Sequence, residues 1–404
     1  MADATAAGRA SLHSPGAAAI GLAGLLSLAL AMGIGRFSFT PLLPLMIQDG
    51  QLDLSAAGWI ASANYLGYLL GALSAAHLRL TPTRLAMGAL LLTVALIAAM
   101  ALPLGAWGWA GVRLSAGAAS AWAFVGTSVW CLQALARRSD AQGRPSAWAS
   151  VLYAGVGGGI ALSGLYCLAG AASGASAAAL WLQLAGLALL MLLPVAAVVR
   201  RLRAEIAQPA AGPHDPAQAA RGPVRGLIAS YGFFGFGYIL PATFLPEMAR
   251  ALVPDPRWFG LAWPVFGLMG AASALLASRL LRRMPRLKLW SATQGLMGVG
   301  VLLPSLWLSG WTIGLSALFV GGTFMVATLA GLQEGRARAG AEAPRVMAGM
   351  TTGFAAGQIA GPIAANLLRL WPGVSAAGAL DLALQLAAAG LLASALWLWH
   401  AKSA

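Results

Sequence analysis

Two arginines, Arg36 and Arg113, lie inside long apolar stretches of the sequence. At about 1.5 Å per helical residue, Arg36 would lie roughly 16 Å and Arg113 roughly 9 Å from the nearer helix end. A guanidinium group in a low-dielectric interior strongly favours an anionic partner. The first six apolar stretches contain no Asp or Glu. This pattern predicts that both arginines face one cavity and bind an anion there. The alternative is that Arg113 extends toward the surface and Arg36 binds main-chain carbonyls.

A few amides and phenols in other apolar stretches could line the same cavity, although an amide or aromatic residue inside a bundle is more often a packing residue. These further candidates for solute binding are Asn64, Tyr65, Tyr153, Tyr238 and Gln358. The two cysteines and four histidines lack metal-ligand spacing, and no GxxxxGK[ST] phosphate-binding sequence is present. We therefore expect no metal or other cofactor, and no direct use of ATP.

The composition is that of a membrane protein. Of the 404 residues, 59% are hydrophobic and only 9% are charged, whereas a soluble domain carries about 25% charged residues. Twelve apolar stretches are long enough to span a bilayer. They cover residues 17–47, 55–78, 83–104, 107–135, 146–171, 176–199, 225–250, 258–281, 287–308, 311–334, 346–370 and 375–399. The expected division is a tail (1–16), a six-helix bundle (17–199), a linker (200–224), a second six-helix bundle (225–399) and a short tail (400–404).

The basic residues predict the orientation. With the N-terminus inside, 20 of the 25 Lys and Arg residues fall in inner tails, inner loops and inner helix ends. This is the positive-inside pattern, with both termini and the linker cytoplasmic. It also explains the net charge of +14 without nucleic acid. The expected location is a multi-pass position in the plasma membrane, which is the inner membrane of a bacterium.

An internal repeat relates the two halves of the chain at one shift of 202 residues. The matches pair Gly33 with Gly235, Gly35 with Gly237, Pro44 with Pro246, Gly155 with Gly357 and Gly159 with Gly361. Six helices per unit preserve orientation, so the repeats are expected to be parallel, as in carriers whose solute site lies between two halves near the membrane midplane.

The local motifs resemble a known family. Residues 33–46 read GIGRFSFTPLLPLM, which is similar to the helix 1 signature of the YbfB/YjiJ branch of the major facilitator superfamily, written GxGRFxYTPLLPxM. Residues 113–121 resemble the superfamily's helix 4 motif, RxxxGxxxA, which implies that Arg113 faces the central cavity. The resemblance implies an all-α fold of twelve transmembrane helices in two parallel six-helix repeats.

Glycines and prolines on four of the predicted helices are expected to serve close helix packing and gating. These residues are Gly33, Gly35, Pro41, Pro44, Gly155, Gly159, Gly237, Pro246, Gly357, Gly361 and Pro362. The run from Gly357 to Pro362 resembles the superfamily's antiporter motif, GxxxGP, although that motif belongs in helix 5, where this chain has Ile160. The loop after helix 2 lacks the Asp and Arg of the superfamily's GxLxDRxGR motif, because Ala75 and Ala76 stand there.

The function that follows is secondary transport of a small solute by alternating access, coupled to protons and directed at an organic anion. The expected partners are the solute, protons and lipid, for a monomeric carrier without enzymatic activity. A drug/proton antiporter is the alternative within the same class. A membrane-embedded enzyme or a transporter-like sensor is the alternative from another class, but no His falls well inside a predicted span.

Overall fold

The computed structural model describes residues 15–75, 77–138, 148–206, 224–252, 260–339 and 343–401, and these residues form helices joined by short turns. Within this part of the chain there is no β-strand. The predicted N-terminal tail up to residue 14, most of the linker and residues 402–404 lie outside the described residues.

Twelve helices follow one another in the described residues. Each corresponds to one predicted apolar stretch, and most of the helix ends lie within a few residues of the predicted ends. They are α1 (Ala17–Gln48), α2 (Leu54–Ala75), α3 (Pro82–Ala99), α4 (Gly105–Ala136), α5 (Trp148–Ala172), α6 (Ala177–Ile206), α7 (Val224–Leu252), α8 (Ala262–Arg283), α9 (Arg286–Leu306), α10 (Gly310–Ala339), α11 (Ala343–Leu368) and α12 (Ala376–His400). Ten of these described helices are long and apolar enough to cross a membrane; α2 and α11 are the two that fall short. Since α2 and α11 pack against each other, part of each surface faces protein, which permits more polar residues there.

The helix α1 is continuous but irregular. An α-helical segment, Ala17–Leu28, passes into a π-helical segment, Ala29–Arg36, and α-helix resumes at Phe39–Gln48. The N–H of Phe37 donates to the carbonyl of Met32, five residues back, at 3.1 Å. Such wide turns are uncommon and are frequent at functional sites. The predicted site residue Arg36 is the last residue of this segment.

The close-packing glycines lie where two backbones meet. A Cβ at Gly33 would collide with the backbone of Gly159 on α5, and one at Gly357 would collide with the backbone of Gly232 on α7. The pair α1–α5 in the first half therefore corresponds to the pair α7–α11 in the second half. Likewise α2 packs on α4, and α8 packs on α10.

The two halves meet along two further helix pairs, α2–α11 and α5–α8. A Cβ at Gly157 of α5 would collide with the backbones of Gly267 and Ala271 of α8. At one end of the bundle the N–H of Ala177 donates to Asp49, and Asn366 donates to the carbonyl of Ser55. We call this end, where α1 finishes, the Gln48 end.

The packing registers of the two halves differ. Gly159 faces the backbone of Ala29, whereas Gly361 faces Ile239 and, at greater distance, the carbonyl of Phe236. At the shift of 202 residues the partner of Phe236 would be Ile34, which lies five residues beyond Ala29. The same helices pair in both halves, but the second pair is displaced by more than one helical turn.

Three predicted boundaries need correction. The helix α6 continues to Ile206, past the expected linker start at residue 200, and α10 continues to Ala339 rather than 334. Conversely, α3 ends at Ala99 rather than 104, just before Pro103. Hydropathy marks where the apolar stretch ends, and a helix with exposed arginines such as Arg200 and Arg201 can extend beyond that point.

Candidate functional site

Arg36 lies at the contact between the two halves. Its side chain is 2% exposed, and its Nη2 donates to Oε1 of Gln358 on α11 at 2.8 Å. Its guanidinium carbon lies 3.8 Å from the ring centroid of Tyr68 and 5.6 Å from that of Tyr65, both on α2. In the described residues Arg36 has no carboxylate within ion-pair distance, and its Nε has no hydrogen-bond partner. The cation is held by dipoles and aromatic faces only.

Gln358 connects Arg36 to a third helix. Its Nε2 donates to the hydroxyl of Tyr238 on α7 at 3.1 Å, while its Oε1 accepts from Arg36. Gln358 and Tyr238 are 0% and 1% exposed. The structure therefore brings together three predicted site residues from α1, α7 and α11.

Arg113 has a different set of partners. Its Nη1 donates to the carbonyl of Gly35 at 2.9 Å, and its Nη2 donates to the carbonyl of Arg36. The N–H of Thr40, the regular α-helical donor to the Arg36 carbonyl, instead donates to Phe37 at 3.2 Å. Arg113 thus supplies a donor that the irregular end of the π-helical segment lacks. The expectation of two guanidinium groups turned toward one anion is corrected, because both terminal nitrogens of Arg113 bind the backbone of α1.

Asn64 and Tyr65 support this arrangement from α2. Asn64 Nδ2 donates to the carbonyl of Arg113 at 2.8 Å. The hydroxyl of Tyr65 lies 2.8 Å from Oγ1 of Thr243, which itself donates to the carbonyl of Ile239. Since the single proton of Thr243 is committed to Ile239, Tyr65 is the donor across the interface.

The two halves are also joined at the Gln48 end by a hydrogen bond to a main-chain carbonyl, which has no helical donor because of a proline. Pro246 has no N–H, so the carbonyl of Ala242, four residues earlier, has no helical donor. The hydroxyl of Thr40 on α1 donates to this carbonyl at 2.8 Å. Nearby, Nη1 of Arg250 donates to the carbonyl of Pro44 at 2.7 Å. The predicted gating prolines Pro44 and Pro246 therefore lie in the contact that holds α1 against α7.

Comparison with known proteins agrees with this architecture. A family model described as uncharacterised MFS-type transporter YbfB matches residues 28–398. The chain belongs to this YbfB family of major facilitator transporters. It is thus a multi-pass membrane protein of the transporter class, as the motif in α1 predicted. No curated protein matches the chain.

In this YbfB-family transporter an aromatic cluster extends from the site into the second half. Tyr238 is stacked between two rings, with centroids 4.8 Å from Phe324 and 5.7 Å from Phe354, at interplanar angles of 16° and 12°. Tyr231 and Phe234 lie 5.3 Å and 5.1 Å from Phe354. The sequence indicated Tyr238 alone. Tyr231 and Phe234 share one face of α7 with Tyr238, and this helical spacing is visible in the sequence. The remaining two rings, Phe324 and Phe354, lie on α10 and α11.

Tyr153 and Pro362 lie apart from the site of this transporter. Tyr153 on α5 packs against Phe124, with ring centroids 6.0 Å apart, and has no contact with Arg36 in the described structure. Pro362 lies within α11 four residues beyond Gln358. Gly35 faces Thr93 of α3, and Gly237 faces Leu391 of α12, so these two glycines serve packing within each half.

A buried ion cluster at the opposite end of the transporter was missed. Glu334 of α10 is 2% exposed and accepts from Arg338 at 2.8 Å and from Arg286 of α9 at 3.0 Å. In the sequence Glu334 lies at the end of the predicted span 311–334, where nothing distinguishes it from a solvated residue. It lies in the second half, whereas the first half has Ala75 at the acidic position of the superfamily's loop motif.

Proposed function

We propose that this protein is a secondary active transporter that moves a small organic anion by alternating access, with Arg36 as the residue that binds the anion. The observation that carries the proposal is the buried Arg36 guanidinium, which contacts both halves and has no carboxylate partner in the described residues. A charge inside a membrane protein is costly and marks a solute or ion pathway.

The protein partners of Arg36 offset only part of the free-energy cost of burying its charge. The amide of Gln358 and the face of Tyr68 each offset part of the desolvation cost, and a cation–π contact contributes about 0.5–2 kcal/mol. An anion would offset more, because it neutralises the charge and gives the free Nε an acceptor. A cationic drug would meet a like charge, so the drug/proton antiporter is disfavoured by the same residue.

Alternating access is supported by the way the helices pair. The pairs α1–α5 and α2–α4 recur as α7–α11 and α8–α10, and the halves meet through α2–α11 and α5–α8. We infer that α1–α6 and α7–α12 are parallel repeats that rock against each other about a site between them. The contact of α1 with α7 closes the Gln48 end. In this conformation the site is therefore either open at the opposite end of the bundle or closed at both ends.

The basic residues support placing the Gln48 end outside. Positive-inside bias puts both termini in the cytoplasm and the protein in the plasma membrane, which is the bacterial inner membrane. The closed Gln48 end would then be the outer gate. We propose that a monomer in the lipid bilayer carries out the whole cycle, since each half supplies residues to one site.

Proton symport is proposed as the source of energy. Importing one negative charge against an inside-negative potential costs about 2.3 kcal/mol for each 100 mV. A proton that moves with a monovalent anion cancels this cost and adds the pH gradient as a driving force.

The experiment is uptake of radiolabelled monocarboxylates into proteoliposomes that contain the purified protein, with an acidic exterior. We expect uptake that collapses with a protonophore and is strongly reduced, at concentrations below the wild-type KM, with Arg36→Gln. Accumulation of organic cations instead, or uptake of carboxylates that is the same in empty liposomes, contradicts the proposal.

A further inference from the structure

We infer that the preferred solute carries its carboxylate on a flat aromatic ring, which lies between Tyr68 and Phe354 while the carboxylate binds Arg36. This inference rests on the proposed function, since it names the class of anion that the same site takes. It depends on the geometry of the rings around Arg36 and Gln358.

Phe354 and Gln358 occupy one face of α11. They are four residues apart, so their side chains lie one above the other. Gln358 reaches Arg36 of the opposite half, so the face that holds Phe354 is turned toward the interface and not toward lipid. Phe354 lies one turn from the Arg36 contact, in the direction away from the Gln48 end.

Tyr68 has the corresponding position on α2. It follows Tyr65 by about one turn, again away from the Gln48 end, and its ring lies directly against the guanidinium of Arg36 at 3.8 Å. Tyr65 is buried at the contact with Thr243, whereas Tyr68 is half-buried. A solute that approaches Arg36 from the side opposite the Gln48 end would therefore meet Tyr68 first.

The ring of Phe354 is backed by a rigid surface. It packs on Tyr231, Phe234 and Tyr238, with centroid distances of 5.3, 5.1 and 5.7 Å. These three are at most 4% exposed, whereas Phe354 is half-buried. Of these four packed rings, Phe354 is thus the one that keeps appreciable exposed surface.

Aromatic rings that are fixed in place recognise other rings by stacked or edge contacts, beyond the general hydrophobic gain. A guanidinium group adds two parallel hydrogen bonds to a carboxylate. An aromatic carboxylate satisfies both features at once, while a short aliphatic acid satisfies only the second. Ring contacts on two sides should together strengthen binding by about tenfold.

The test measures binding to purified protein in nanodiscs by isothermal titration calorimetry. The probes are benzoate, cyclohexanecarboxylate, acetate and uncharged benzamide. We expect benzoate to bind about tenfold more tightly than cyclohexanecarboxylate, acetate to bind weakly, and benzamide not to bind. Phe354→Leu should lower the preference for benzoate over cyclohexanecarboxylate to about threefold, because the contact with Tyr68 remains. Binding of acetate should be kept, and Phe354→Tyr should retain the full preference.

Phe233→Leu is the matched control, because Phe233 is on α7 but is exposed on the outer surface of the bundle; it should leave the preference intact. Equal affinities for benzoate and cyclohexanecarboxylate, each lost in Arg36→Gln, overturn the aromatic preference and leave the anion transporter standing. If Phe354→Leu weakens the binding of all carboxylates equally, the aromatic preference is likewise overturned and the anion transporter stands. If no carboxylate binds, or if Arg36→Gln binds them as well as wild type, the anion site itself is refuted and the aromatic preference falls with it.

Discussion

The hydroxyl of Thr40 donates to the carbonyl of Ala242 at 2.8 Å, and the two residues are 202 positions apart, the period of the internal repeat. Equivalent points of the two halves therefore touch each other at this contact. Because Pro246 leaves the Ala242 carbonyl without a helical donor, separation of α1 from α7 at this point would break the hydrogen bond that Thr40 donates to this carbonyl. That cost favours the conformation in which the Gln48 end is closed.

Thr40→Val should therefore open the Gln48 end. Loss of a hydrogen bond to a buried carbonyl costs about 1–3 kcal/mol in the closed state, and Val keeps the shape of Thr. The measurement is the spin-label distance between Trp107→Cys on α4 and Trp311→Cys on α10, two exposed positions on opposite halves, in a background without Cys131 and Cys167. We expect a longer distance to become more populated.

Thr93→Val is the control for this prediction. Thr93 is also buried, but its hydroxyl bonds only to Ala89 of its own helix, at 2.8 Å. It should leave the distance distribution unchanged. An unchanged distribution in Thr40→Val would mean that the contact has no part in gating.

Arg36 and Arg113 should respond differently to substitution. Arg36→Gln should lower carboxylate affinity by about 30-fold or more, because it removes a buried cation that, among the described residues, donates to no backbone carbonyl. Arg36→Lys should recover part of the affinity, since it keeps the charge but not the planar pair of donors. Uptake rates at several concentrations, with KM and maximal rate separated, provide the measurement. A KM near the wild-type value in Arg36→Gln would exclude Arg36 as the residue that binds the anion.

Arg113→Gln should act mainly through stability. It removes the donors to the Gly35 and Arg36 carbonyls, at a cost of about 1–3 kcal/mol. We expect a lower melting temperature in detergent and a lower maximal rate, with the order of preference among carboxylates unchanged. A change from anion to neutral-solute preference would instead place Arg113 in direct contact with the solute.

The sequence predicted Arg36, Gln358 and Tyr65 as site candidates but not how they contact one another, for physical reasons. Hydropathy and the shortage of carboxylates are local properties, and they were sufficient to locate the helices and to mark Arg36. The partner Gln358 is 322 residues away, and no spacing rule relates the two. The π-helical segment lies where α1 packs closely on Gly159 of α5, and local hydropathy does not indicate it. Without it, the use of Arg113 as a donor to two carbonyls could not be foreseen.

The buried ion cluster should contribute strongly to stability. Glu334→Gln removes the carboxylate that Arg338 and Arg286 both bind, and breaking a buried pair typically costs about 3–5 kcal/mol. The part due to Arg286 is smaller, since its side chain is 41% exposed. The matched control is Glu247→Gln, whose partner Arg250 lies 3.8 Å away with both side chains about a quarter exposed, and this change should cost less than about 1 kcal/mol. Equal melting temperatures for Glu334→Gln and Glu247→Gln would contradict the larger contribution of the buried cluster to stability.

The orientation can be tested in the linker, most of which lies outside the described residues. The positive-inside bias predicts that residues 200–224 are cytoplasmic, together with both termini. A cysteine introduced as Gly212→Cys, in a background without Cys131 and Cys167, should resist a membrane-impermeant maleimide in intact cells. It should react fully after the cells are permeabilised. Trp107→Cys, at an exposed position at the start of α4, is the opposite control and should react from outside. If Gly212→Cys reacts in intact cells and Trp107→Cys does not, the whole assignment is inverted and the Gln48 end becomes the cytoplasmic gate.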